Sequence, residues 1–125
     1  MENERSAVIV IGGKEYELLL TTKATKEIAK KYGGLSKLGE ELGKSENFEK
    51  AIDEIVWLIA LLANQTILVH NFQHPNEQKE LLSEETIELL TTPSDSVSYK
   101  EAISACLVKG TKREVVSEEK NAVVG

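Results

Sequence analysis

Two histidines, one cysteine, a glycine pair ahead of a lysine and three adjacent glutamate pairs are the residues of this chain whose types could carry chemistry. His70 and His74 stand four apart, which on one continuous helix puts both imidazoles on one face as a metal pair, with Glu77 nearby. Pro75 argues against that geometry. A helix ending before His74 separates the rings, no cysteine lies close, and the loop reading is preferred over a metal site. Cys106 falls at a core-like position, where a thiol acts as a small apolar group, and no flanking histidine or basic residue lowers its pKa toward a nucleophile's. Gly12-Gly13-Lys14 lacks the longer glycine-spaced loop and following helix of a phosphate cradle; a strand follows instead, so the glycines read as a turn. Glu40-Glu41, Glu84-Glu85 and Glu118-Glu119 are neighbours in sequence, which on a helix points them in different directions, toward solvent and not toward a shared proton. The chain reads as no enzyme, with no catalytic, cofactor-binding or metal-ligating residue assigned.

A length of 125 residues fits one domain that buries about two-thirds of its unfolded surface without disulfide staples. Cys106 has no partner within the chain, which fits a reducing cytoplasm, and Met1-Glu2-Asn3-Glu4-Arg5 lacks the apolar core of a signal peptide. With 15 basic and 21 acidic side chains the net charge is −6, so nucleic acid is disfavoured as a partner unless a basic patch exists. The one candidate patch, Lys23, Lys26, Lys30 and Lys31, interleaves with the apolar positions of a helix and reads as its solvated face. The longest apolar run, Ile55 to Ala63, falls short of the roughly 20 residues needed to cross a bilayer, so no membrane contact is expected.

The elements that must position these residues begin with a hairpin over 7–20. Ala7 to Ile11 is apolar and β-branched, Gly12-Gly13 turns, and Lys14 to Leu20 returns with alternating polarity. A lone two-stranded sheet is marginal in water, so Val8, Val10, Tyr16, Leu18 and Leu20 are expected to lie on helices. Thr21-Thr22 opens a helix over about 22–32 with Ala24, Ile28 and Tyr32 on one face, and Gly33-Gly34 supplies a left-handed cap. A short helix follows over 35–42. Ser45 caps a third, over about 46–70, whose apolar positions Phe48, Ala51, Ile52, Ile55, Val56, Ile59 and Leu62 are widened by Trp57, Leu58 and Leu61 until it is apolar nearly all round. Pro75 ends it, and a loop leads to Ser83, which caps a helix over 84–91. The last helix spans 95–109, with Tyr99, Ala102, Ile103, Cys106 and Leu107 inward and Gly110 as its stop. From Thr111 to Gly125 the pattern dissolves into a disordered tail. The expected fold is α+β, mainly α: one domain over 1–110, its N-terminal hairpin packed on about five helices around a long central apolar helix.

The string Ile11 to Ala24 (IGGKEYELLLTTKA), with Lys31-Tyr32-Gly33-Gly34-Leu35 after it, resembles the opening of small tail assembly chaperones of long-tailed phages and prophages of Gram-positive bacteria. The likeness in element order runs to about residue 108. The resemblance implies a cytoplasmic, non-enzymatic helper that self-associates and coats the tape-measure protein before the tail tube polymerises, with the tail tube protein as a second candidate partner. It also implies a longer product made by a minus-one frameshift near the end of the short one. Glu119-Lys120-Asn121 is compatible with a slippery run there.

Trp57 is the one large aromatic anchor, and core is its default place. On a helix apolar nearly all round, one flank is left for another subunit or a partner, and Trp57 and Leu61 are the candidates for that contact. An alternative from another class is a small DNA-binding regulator that uses Lys23 to Leu42 as a helix-turn-helix. Net acidity and the lack of arginine in its second helix argue against it.

Overall fold

The computed structural model describes residues 6–44 and 48–124. Strands β1 (Ser6–Ile11) and β2 (Lys14–Leu19) pair antiparallel, and helices α1 (Thr22–Tyr32), α2 (Leu35–Lys44), α3 (Phe48–Gln73), α4 (Glu84–Leu90) and α5 (Ser96–Val124) follow, with one 3-10 turn at Pro93–Asp95. This is the mainly α architecture, with a two-stranded sheet and a long apolar helix, that the sequence predicts. The predicted Ser45 cap and the helix start near Glu46 lie outside the described residues.

Gly12 and Gly13 both hold positive φ, 58° and 79°, as a two-residue type I′ turn requires. The turn fixes the register: Ile11 faces Lys14, Ile9 faces Tyr16 and Ala7 faces Leu18. Ile9, Ile11, Leu18 and Leu20 are buried in the core, and Ala7 and Tyr16 pack against it. Val8 and Val10 are a correction. Expected on the helices, they point outward, 52% and 53% exposed, opposite Glu17 and Glu15. Every position of β1 from Ala7 on is apolar, so this strand carries no alternation of its own. Its inner face is imposed by β2 through the pairing, and a one-residue error of parity turns every side chain over.

Thr21 caps α1 by accepting from the Ala24 N–H at 3.0 Å, and Gly33, at φ 93°, closes it with an N–H donated to the Ala29 carbonyl at 2.8 Å. Ala24 and Ile28 are the buried face between these caps. Ser83 does the same for α4, accepting from the Thr86 N–H at 3.1 Å.

Helix α3 has 26 residues, about 39 Å at 1.5 Å per residue, and packs against β2, α1, α4 and α5. By length and composition its span Glu49–Gln73 is apolar enough to cross a membrane, where the uninterrupted run Ile55 to Ala63 alone is too short. Half of the most apolar window is buried inside the fold. Leu58, Ile59 and Leu62 are fully enclosed, each stabilising the domain by about 2–3 kcal/mol. Two hydrogen bonds clamp the sheet to the helices: Thr66 donates through Oγ1 to the Glu17 carbonyl at 2.8 Å, and Tyr99 donates through its hydroxyl to the Val10 carbonyl at 3.0 Å.

Helix α5 does not stop at Gly110, and the stretch from Thr111 expected to be disordered continues it to Val124. An internal glycine costs a helix only about 1 kcal/mol relative to alanine, so it need not break one. The place of Gly110 has another cause. A Cβ there would stand 2.7 Å from Leu20 Cδ2 and 3.0 Å from Leu20 Cβ, so the missing side chain lets α5 approach the end of the hairpin.

Candidate partner-binding surface

A narrow cleft of about 110 Å³ opens between the N-terminal half of α3, helix α4 and the start of α5. Ile52, Ile55, Val56 and Ile59 form its floor from one side of α3. Ile87, Pro93 and Tyr99 close the other side. The walls follow from local sequence. Thr91-Thr92-Pro93 ends α4 because proline cannot continue a helix beyond its first turn, and the Thr92 N–H donates to Asp95 Oδ2 at 2.8 Å in the turn that redirects the chain into α5. Burial, followed by the nearby Asp95 charge, pushes the Tyr99 hydroxyl above its ordinary pKa. It therefore stays a donor and keeps its bond to Val10.

Apolar side chains on the same elements are left in solvent. Leu89 and Leu90 on α4 and Val97 on α5 are each more than half exposed. Leu90 reaches the hairpin turn, where its Cδ1 would stand 2.8 Å from a Cβ on Gly12. A cleft with an apolar floor and exposed leucines and a valine beside it can take apolar side chains from a partner.

Trp57 and Leu61 lie elsewhere. Both are partly buried and packed against the core. Trp57 stands edge-to-face on Tyr32 of α1, with ring centroids 6.1 Å apart at 70°, and the Lys31 ammonium sits 4.7 Å over its ring. The flank left for a partner on sequence grounds is thus partly covered by α1, while the apolar cleft lies on the side of α3 that carries Ile52 and Ile59. Periodicity alone misses the cleft, because its far wall is set by where Pro93 sends the chain.

The histidines are brought together, contrary to the separation expected from Pro75. Helix α3 runs on to Gln73, and the two rings stack at 4.5 Å and 18°. His70 donates through Nε2 to the Glu77 carbonyl at 2.9 Å, and His74 through Nδ1 to the His70 carbonyl at 3.1 Å. These bonds fold the end of the helix into its loop. Among the described residues no three histidine, cysteine or carboxylate side chains gather as a metal site would require. Cys106 is fully buried, and burial is the main reason its thiol is pushed up to about 12.

Of the lysines in the candidate basic patch, Lys30 pairs with Glu27 at 3.6 Å and Lys31 is turned onto Trp57. Lys23 and Lys26 are exposed. No family model matches the chain, nor does any curated protein or solved structure.

Proposed function

We propose that this chain is a non-enzymatic tail assembly chaperone of a phage or prophage, acting in the bacterial cytoplasm to bind and solubilise the tape-measure protein before tail tube polymerisation. The observation that supports it most is the apolar cleft between α3, α4 and α5, with Leu89, Leu90 and Val97 exposed on the same elements. A long helical protein with apolar stripes aggregates unless those stripes are covered, and a small acidic domain with a shallow apolar cleft can cover them reversibly. The net charge of −6 keeps such a coat soluble. Self-association, with the tail tube protein as a further partner, belongs to the same reading. So does a longer frameshifted product.

Co-expression with the tape-measure protein of the same gene cluster tests it. The partner's soluble fraction should rise and the two should co-purify, whereas an unrelated acidic protein of equal size should give no such rescue. Equal rescue by that control would reduce the effect to charge-mediated solubility and remove the specific claim.

The DNA-binding alternative draws less support. Helix α2, its would-be reading helix, exposes Glu40 and Glu41, which repel phosphate, and Lys31 of α1 is engaged with the rings of Trp57 and Tyr32.

A further inference from the structure

On the other side of α3 from the apolar cleft, an open pocket of about 430 Å³ lies between α1, α2 and α3, lined by Tyr32, Asp53, Glu54 and Glu41 together with lysines 31, 37 and 50. Glu54 lies deepest. It is only 6% exposed, and its Oε1 has no hydrogen-bond partner. Its other oxygen accepts from the Tyr32 hydroxyl at 3.5 Å, the outer limit of such a bond. A buried carboxyl group with one oxygen unmet is costly, and native structures rarely leave such a group without a reason. Of the lysines on the lining, the Lys31 ammonium stands over Trp57 at 4.7 Å and Lys50 faces Glu41 at 4.0 Å.

We infer that this pocket receives a guanidinium group, of the kind an arginine side chain presents. An anion would be pressed against Glu54 and Asp53. Metal binding is not favoured either, since no metal-ligating trio is assembled among the described residues. The ligand must then be a cation that donates hydrogen bonds. A planar guanidinium does so in a fork matched to a carboxylate, and its face stacks on aromatic rings such as that of Tyr32 at the wall. Asp53, exposed beside Glu54 in the lining, adds a second negative charge to draw it in. The site does not depend on the chaperone reading, and a single blocked amino acid is enough to fill it.

The chain contains one tryptophan, and Trp57 touches the pocket wall through Tyr32, so its emission reports occupancy. The full-length protein is titrated with N-acetyl-arginine amide, and with N-acetyl-citrulline amide as the neutral isostere. The expected result is a saturable emission change with the arginine compound only, weakened about tenfold or more in Glu54→Gln and unchanged in Glu101→Gln on the exposed face of α5. An equal response to citrulline, or full retention of binding by a folded Glu54→Gln, would overturn the assignment. If circular dichroism shows that Glu54→Gln does not fold, Asp53→Asn decides instead. Arginine binding about threefold weaker or more supports the site, and unchanged binding removes it.

Discussion

Asn64 completes the peptide hydrogen bonding of Leu82 on both sides: the Leu82 N–H donates to Oδ1 at 2.7 Å, and Nδ2 donates back to the Leu82 carbonyl at 2.9 Å. Two turns further along α3, Asn71 treats Lys79 the same way, at 2.8 and 3.0 Å. The side-chain amides stand in for a neighbouring strand, and they lay the segment before α4 along the central helix.

Asn64→Ala should therefore cost about 2 kcal/mol, two net hydrogen bonds at a site where Leu82 is buried. Asn64→Asp should cost more, because a carboxylate then opposes the Leu82 carbonyl. Asn71→Ala, where the partners are exposed, should cost less than about 1 kcal/mol. Urea unfolding of the three variants measures this, and equal costs at 64 and 71 would contradict it.

At the hairpin turn, Gly12→Ala and Gly13→Ala separate strain from contact. Both positions hold positive φ, but only a Cβ at 12 meets a neighbour, Leu90 Cδ1 at 2.8 Å, while nothing lies within 4 Å of one at 13. Each change should destabilise the fold by about 1–2 kcal/mol through left-handed strain. The position 12 variant should lose more and also disturb Leu90. Thermal unfolding that ranks 13 below 12 would be the contrary result.

Much of this fold is legible in the chain. Thr21, Gly33 and Ser83 cap helices where local sequence puts them, and α1 matches its predicted bounds. The failures have separate physical causes. Val8 and Val10 sit on the solvent face because β1 lacks alternation and inherits its face from β2, although the turn at Gly12-Gly13 already pairs Ala7 with Leu18. Gly110 looks like a stop but serves as a contact with Leu20, which only the packed structure reveals. The two asparagines of α3 carry a signal, spaced seven apart on one face, but the segment they hold is apparent only once the chain is packed. Glu54 carries one too, as a carboxylate within a helix of strong apolar character, yet its pocket needs α1 and α2 brought beside it.

Gly110→Ala tests the contact reading directly. If the glycine merely interrupts a helix, alanine should stabilise it by about 1 kcal/mol. Packing against Leu20 at 2.7 and 3.0 Å predicts the opposite sign, a net loss of about 1–2 kcal/mol. Chemical denaturation gives the sign.

Cys106 should resist thiol reagents at neutral pH until the domain unfolds, since its thiol is buried and pushed up to about 12. The raised value also sets a pH dependence. From about 9, where the thiol of the unfolded chain ionises, up to about 12, the unfolded state has lost a proton that the folded state keeps. Stability should fall with rising pH across that window, and Cys106→Ala should remove this part of the slope. Rapid labelling of the folded protein at pH 7 would contradict the burial.

The chaperone proposal meets its most direct test in one pull-down, in which the tape-measure protein from the same gene cluster is co-expressed with the wild-type chain or with Ile52→Asp. Ile52 lines the apolar cleft and is only partly buried, so the change puts a charge in the cleft while circular dichroism verifies the fold. The account predicts that the tape-measure protein stays soluble and co-purifies with the wild-type chain, and that co-purification falls about tenfold or more with folded Ile52→Asp. Undiminished co-purification with the variant, or none with the wild type, would contradict it.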